Sequence, residues 1–152
     1  MRITHRIAGP QDRAGRGCRQ ALHPTDVRIE ARGPTREECI AEAVRGLVDS
    51  FAVVAGRPPH TWAERHVRAR RDEDLLVAVI DEVIYWINAD GELPVSAAVQ
   101  PASDGGAVVF LAFVRAADAK IIGAVPKAAS ARDLRCVQDP DGQWACAVTL
   151  EV

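Results

Sequence analysis

Residues 92–114, "ELPVSAAVQPASDGGAVVFLAFV", hold two apolar runs separated by Ser103, Asp104, Gly105 and Gly106. Runs rich in Val, Ala and Phe, bounded by Asp and Gly, read as strands joined by a turn. Two further strand-like segments follow, one from about Ala124 to Val137 and one at 143–152, "QWACAVTLEV", with the turn "DPDG" between them. No helical periodicity returns after Gly91. Strands in succession without crossover helices pair antiparallel, because a parallel neighbour needs a long crossover. The fold class is therefore α+β, with a mixed or antiparallel sheet. "RAADAKIIG", 115–123, fits either a short helix or a loop.

Upstream the pattern changes. Leu75, Leu76, Val79, Ile80, Val83, Ile84 and Ile87 recur at helical spacing, with Asp72 placed to cap the start and Gly91 to end it. "TWAERHVRAR", 61–70, alternates and reads as a largely exposed strand. In "GPTREECIAEAVRGLVDSFAVVAG", 33–56, Thr35 and Glu38 form a capping box. Cys39, Ile40, Ala43, Val44, Leu47, Val48 and Phe51 then trace an amphipathic stripe that Gly56 closes. "VRIEARG", 27–33, alternates with period two, as a half-buried strand does. The expected order is β-α-β-α-β-β-β-β, with two amphipathic helices in one domain over residues 21–152. Residues 1–20 combine Gly, Pro, Gln and Arg with almost no periodicity and read as a disordered basic arm.

The chain has 152 residues and a net charge of −2, so no whole-molecule field favours nucleic acid or an anionic membrane. Residues 1–20 carry five arginines against Asp12, a charge of +4 that leaves −6 on the remainder. No apolar stretch is long enough to cross a bilayer, and the basic N-terminus lacks a secretory apolar region, so the expected location is cytoplasmic, away from membranes. Cys18, Cys39, Cys136 and Cys146 show no CxxC spacing and read as free thiols, with Cys136 and Cys146 facing each other across the "DPDG" hairpin.

Nucleotide-binding glycine loops, HExxH and GxSxG are all missing. His60 and His66 read as surface or satisfied histidines, and Asp81 and Glu82, about 100° apart on a helix, as a solvated face. What remains is the two ends of the domain. Asp26 precedes the first strand, and Glu151 and Val152 close the last. If those strands are neighbours, hard oxygen ligands gather at one sheet end, as a cation such as Ca²⁺ requires. Otherwise Asp26 makes an Asx-turn and Glu151 is a frayed terminal residue.

"HPTDVRIEARGPTREECIAEAVRGLVDSF", 23–51, resembles the archease signature, a His-Thr-Ala-Asp-type turn leading into a strand and an Ala-rich helix. The likeness continues through "DEDLLVAVIDEVIYWINADGELP", through "VPKAASARDLRC", which is similar to a Lys-Ala-x-Thr-x-His stretch, and through "WACAVTLEV". It implies a non-enzymatic cofactor protein for an RtcB-type RNA ligase, the enzyme that joins a 2′,3′-cyclic-phosphate or 3′-phosphate end to a 5′-hydroxyl. By this resemblance the protein promotes guanylylation and multiple turnover of that ligase, meeting RNA only through it. The resemblance also implies a divalent cation, Ca²⁺ ahead of Mn²⁺ or Mg²⁺, held by Asp26, Glu151 and Val152. Three positions depart from the family: Glu151 replaces the usual aspartate, and Ala131 and Arg132 replace a tyrosine and a histidine. The rival expectations are a general chaperone or protein-interaction module, a small metal-dependent enzyme, and direct RNA binding by the arginine arm.

Overall fold

The computed structural model describes residues 3–7, 26–54 and 56–152. In chain order the elements are β1 (Ile3–Ile7), β2 (Val27–Gly33), α1 (Arg36–Asp49), β3 (Ala52–Val53), β4 (Thr61–Val67), α2 (Asp72–Asp90), β5 (Glu92–Pro101), β6 (Ala107–Arg115), β7 (Lys120–Ile121), β8 (Ala128–Gln138) and β9 (Trp144–Glu151). Among the described residues every strand pair is antiparallel. The α+β class read from the sequence is the observed one. β1, β2, β9 and β8 form one sheet in that order, β4, β6 and β5 a second, and β3 and β7 a short ribbon.

The decisive pairing joins the two ends of the domain. β2 lies against β9, with Val27 opposite Leu150, Ile29 opposite Val148 and Ala31 opposite Cys146. Alternation then turns Val27, Ile29 and Ala31 into the core, as period two requires. β9, with neighbours on both edges, is buried from Ala145 to Leu150.

α1 begins as its sequence demands, with the Thr35 hydroxyl accepting from the Glu38 amide at 3.0 Å. It packs against β2 and β9 of one sheet and against β5 of the other. Burial therefore extends beyond a single stripe to Ala41, Glu42 and Gly46, and Glu42 is neutralised by Arg45 one turn along. The helix stops at Asp49, short of the expected Gly56. Ser50 caps it, its hydroxyl donating to the Leu47 carbonyl at 2.6 Å. The chain past Phe51 is rich in β-branched residues and pairs with Lys120–Ile121 instead. That pairing also resolves 115–123 into a 3₁₀ turn at Ala116–Asp118 followed by β7.

In α2 the predicted stripe is the buried one, Leu75 through Ile87. Its N-cap is Arg71 rather than Asp72. Asp72, Glu73 and Asp74 occupy the first turn, where the helix dipole favours negative charge. Asp72 is also ion-paired with Arg36 at 2.8 Å, tying the two helix starts together. Gly91, at φ 63°, ends the helix in the left-handed region that favours glycine. On the second sheet, Arg65 lies 4.9 Å over the Trp86 ring, which tilts against Phe113 at a centroid distance of 4.9 Å.

Within the stretch read as an arm, Ile3–Ile7 forms a strand on β2, with Ile3 opposite Ala31 and Ile7 opposite Val27. Three of its five residues are β-branched, a signal masked by the Gly-, Pro- and Arg-rich run behind it. The rest of that arm, with Cys18, and residues 21–25, with His23, lie outside the described residues.

Gly33 has a specific task. A Cβ there would lie 2.8 Å from the Cys39 amide nitrogen and 3.1 Å from its Cα, so the first turn of α1 can sit on β2 only over a glycine. Gly33→Ala is expected to cost about 1–3 kcal/mol in urea unfolding, because the opposing atoms are backbone and cannot rotate away.

Candidate functional site

The β2–β9 register, continued by one residue, sets Asp26 beside Glu151. On the other side of β9, β8 places Ala128 opposite Glu151, and the Lys127 amide donates to the Glu151 carbonyl at 2.7 Å. The sheet end thus gathers the residues that the sequence separates most widely. Asp26 is 5% exposed, whereas the Glu151 side chain is exposed and Val152 half-buried.

The outer face of this sheet end carries buried polar side chains rather than apolar ones. Ser130 is 5% exposed and Thr149 fully buried, directly opposite each other. Past Ser130 the register jumps. Ser130 pairs with Thr149 and Arg135 with Ala147, so residues 131–134 bulge out of the ladder. Asp133 sits at the crest with φ 53°, a left-handed conformation that aspartate tolerates better than most residues.

Two arginines hold the bulge. Arg28 donates to the Thr149 hydroxyl at 3.2 Å and to the Asp133 carbonyl at 3.1 Å. Arg132 reaches back, its amide donating to the Ser130 hydroxyl at 3.1 Å and its guanidinium to an Asp26 carboxylate oxygen at 3.2 Å. This ion pair matters because a buried carboxylate is costly without hydrogen-bonded counter-charge. Arg132 is 40% exposed on its side chain, so the pair is open to water on one side only.

The first and last strands expected to be neighbours are so, and their register sets Asp26 and Glu151 at one sheet end, with Val152 following Glu151 in the chain. Arg28 read only as the polar face of its strand and Thr149 carried no signal, while Ser130 stood out only through the family-like stretch that contains it. Sequence reasoning also missed the Asp26–Arg132 contact, since nothing local marks a multi-residue bulge. Elsewhere, His60 pairs with Glu92 at 2.7 Å and His66 with Asp104 at 3.1 Å. Asp104 is held below the usual carboxylate range, first by the Gly106 amide and then by His66 and Arg68. Asp81 accepts from the Ala129 amide at 3.3 Å, so it tethers α2 to β8 instead of only facing solvent.

Oxygen-only donors from adjacent strands suit a hard cation in kind. Among the described residues, however, no three His, Cys, Asp or Glu side chains are grouped to hold a metal ion. A cation here would draw on backbone oxygen as well, and would compete with Arg132 for Asp26.

The sequence profile of the Archease protein family (MTH1598/TM1083) matches residues 19–152. The chain belongs to the archease family. Two Mycobacterium tuberculosis proteins, from strains CDC 1551 / Oshkosh and ATCC 25618 / H37Rv, each called "Probable protein archease", are 46% identical to it over 137 residues, 90% of this chain and 75% of theirs. The crystal structure of a Thermotoga maritima archease, described as a possible chaperone, superposes with a TM-score of 0.63 at 19% identity, over 88% of this chain and 97% of that one. The solution structure of Methanobacterium thermoautotrophicum protein 1598 gives 0.65 at 15% identity, over 86% and 95%. At such identities the likeness is one of fold. The archease fold thus accounts for the two helices and the antiparallel sheets. No helix among the described residues is long and apolar enough to cross a membrane.

Arg28→Ala is expected to lower stability by about 1–3 kcal/mol, because the Thr149 hydroxyl and the Asp133 carbonyl lose a shared donor. Arg28→Lys should recover part of that loss, read as the shift in urea midpoint.

Proposed function

We propose that this archease acts as a non-enzymatic cofactor protein of an RtcB-type RNA ligase, promoting its guanylylation so that one ligase molecule turns over repeatedly with GTP. Family membership supports the class of activity. The observation that carries the placement is the β2–β9 register, which sets Asp26 beside Glu151 at a sheet end rich in buried polar groups. That end is the surface offered to the ligase, and RNA is met only through the ligase.

A divalent cation, Ca²⁺ ahead of Mn²⁺ or Mg²⁺, would be held by Asp26, Glu151 and Val152, supplying charge neutralisation and a fixed template for anionic groups. The chain's own residues set how strongly. Glu151 brings a carboxylate one methylene longer than the family's aspartate, and its exposure leaves it free to adjust. Arg132, in place of the family's histidine, is permanently charged and already counters Asp26 at 3.2 Å. Loss of that competitor is expected to strengthen cation binding, so Arg132→Ala should lower the Kd for Ca²⁺ by about threefold or more, since each 1.4 kcal/mol is a factor of ten. Calorimetric titration checks this, with Asp26→Ala expected to abolish the heat. Equal affinity in all three proteins would place the cation elsewhere.

The direct test is ligation with the cognate ligase in sub-stoichiometric amount, with GTP and RNA ends bearing 3′-phosphate and 5′-hydroxyl. Product is expected to exceed the ligase concentration only when the archease is present, and to stop near one turnover with Asp26→Ala. A time course identical with and without the protein ends the proposal.

A second reading, a general protein-interaction module, draws on a different observation. Trp62, 67% exposed, and Phe110 lie on the face of β4 and β6 turned away from the helices. Capture experiments separate the two. Recovery of a single ligase supports the first reading, whereas a broad client range that shrinks with Trp62→Ser supports the second.

A further inference from the structure

Away from the polar sheet end, three thiols meet inside the core. Cys39 stands in the first turns of α1, Cys136 on β8 and Cys146 on β9, all three buried. The Sγ of Cys146 lies 2.8 Å from that of Cys39 and 3.4 Å from that of Cys136. Each placement has a backbone cause. Cys136 and Cys146 are direct partners in the β8–β9 ladder. Opposed residues in such a ladder have Cα atoms about 4.5–5.5 Å apart, within the span a disulfide bridges. Cys39 is lowered onto the sheet by the close approach over Gly33, and its Sγ also lies 3.3 Å from the Ala31 carbonyl. Cys146 is therefore shared between two partners.

Core packing asks only for small apolar side chains at these three positions, and all three carry a thiol. The environment also separates their chemistry. Its hydrogen bond with Cys146 is the main influence holding the Cys39 thiol below its usual range, and Arg32 adds to it. The hydrogen bonds with Cys136 and Cys39, and then burial, push Cys146 up, so it keeps its proton. Position near the N-terminus of α1 favours the Cys39 thiolate further. On the outer face of the sheet a groove of about 290 Å³, lined by Arg28, Glu30, Arg32 and Arg135, also borders Cys146, so the backbone of β9 stands between a solute there and the buried thiols.

We propose that Cys39, Cys136 and Cys146 form a thiol–disulfide site, in which a peroxide closes an internal disulfide between Cys146 and a flanking cysteine and the third thiol exchanges with it. In the first step the Cys39 thiolate attacks a peroxide oxygen, the O–O bond breaks, and water leaves once the departing oxygen is protonated. Cys146 sulfur then attacks the sulfenic sulfur of Cys39. The S–S bond forms, and the hydroxyl departs as water with the Cys146 proton. Two thiols are oxidised and one hydrogen peroxide is reduced to two waters. Attack of Cys136 on the Cys146 sulfur moves the disulfide to that pair and releases the Cys39 thiolate, with no net redox change. One form ties α1 to β9, and the other staples β8 to β9, the strand that ends at Glu151.

The test uses the full chain carrying Cys18→Ser, so that only the cluster reacts. After hydrogen peroxide, the protein is unfolded, alkylated and mapped by mass spectrometry. The expected result is the loss of two alkylatable thiols out of three, with disulfide-linked peptides that all contain Cys146, and full recovery with dithiothreitol. With each variant checked for folding by circular dichroism, Cys136→Ser should still form the Cys39–Cys146 bond, whereas Cys39→Ser, lacking the thiolate that attacks peroxide, should keep both of its cluster thiols alkylatable. Three alkylatable thiols after peroxide, or oxidation only to sulfinic and sulfonic acids, would overturn the proposal. The parent result stands whether or not a given variant folds.

Discussion

The pairing of β2 with β9 is the constraint from which the rest follows. It joins residues more than a hundred positions apart and makes β9 a central strand, buried on both faces. Every backbone amide and carbonyl so buried needs a partner, and an antiparallel neighbour on each side supplies them. A shift of one residue would turn Val27, Ile29 and Ala31 outward and Arg28 and Glu30 into the core, so the register has no near competitor. The same register carries Asp26 to Glu151 and leaves Cys146 opposite Ala31 under the start of α1.

α1 answers the sheet. A helix with one apolar stripe covers one surface, but this one touches β2 and β9 on one side and β5 on the other, and small residues such as Ala41, Ala43 and Gly46 let it fit. Gly33 sets how closely it can sit. That closeness gives the contact between Cys39 and Cys146, so a packing requirement in the core also creates a chemical arrangement.

The polar sheet end is organised by its bulge. Without residues 131–134 leaving the ladder, Arg132 would be one more outward residue of β8. With the bulge, it turns back to Asp26, and Arg28 fastens the bulge's crest to Thr149. The Arg132 guanidinium thus becomes part of the rim around Asp26. The buried charge of Asp26 is part-balanced from within the chain, by a residue 106 positions away.

Much of this was legible from the residues alone. Period-two and helical patterns marked β2, β4, α1 and α2, the capping residue Thr35 and the stop at Gly91 were plain, and four strands without crossovers required antiparallel pairing. Such signals are local, arising from backbone sterics and from which face of an element must avoid water. Other features had no local signal. The end of α1 at Asp49 depended on β7 being available to pair with the chain beyond it, and β1 depended on an open edge of β2. The Asp26–Arg132 contact and the three-thiol cluster depended on strands and a helix far apart in the chain arriving at one place. Periodicity tells which side of an element is buried, but only packing settles which distant side chains share that burial, because that depends on register and close approach between surfaces that no single segment contains.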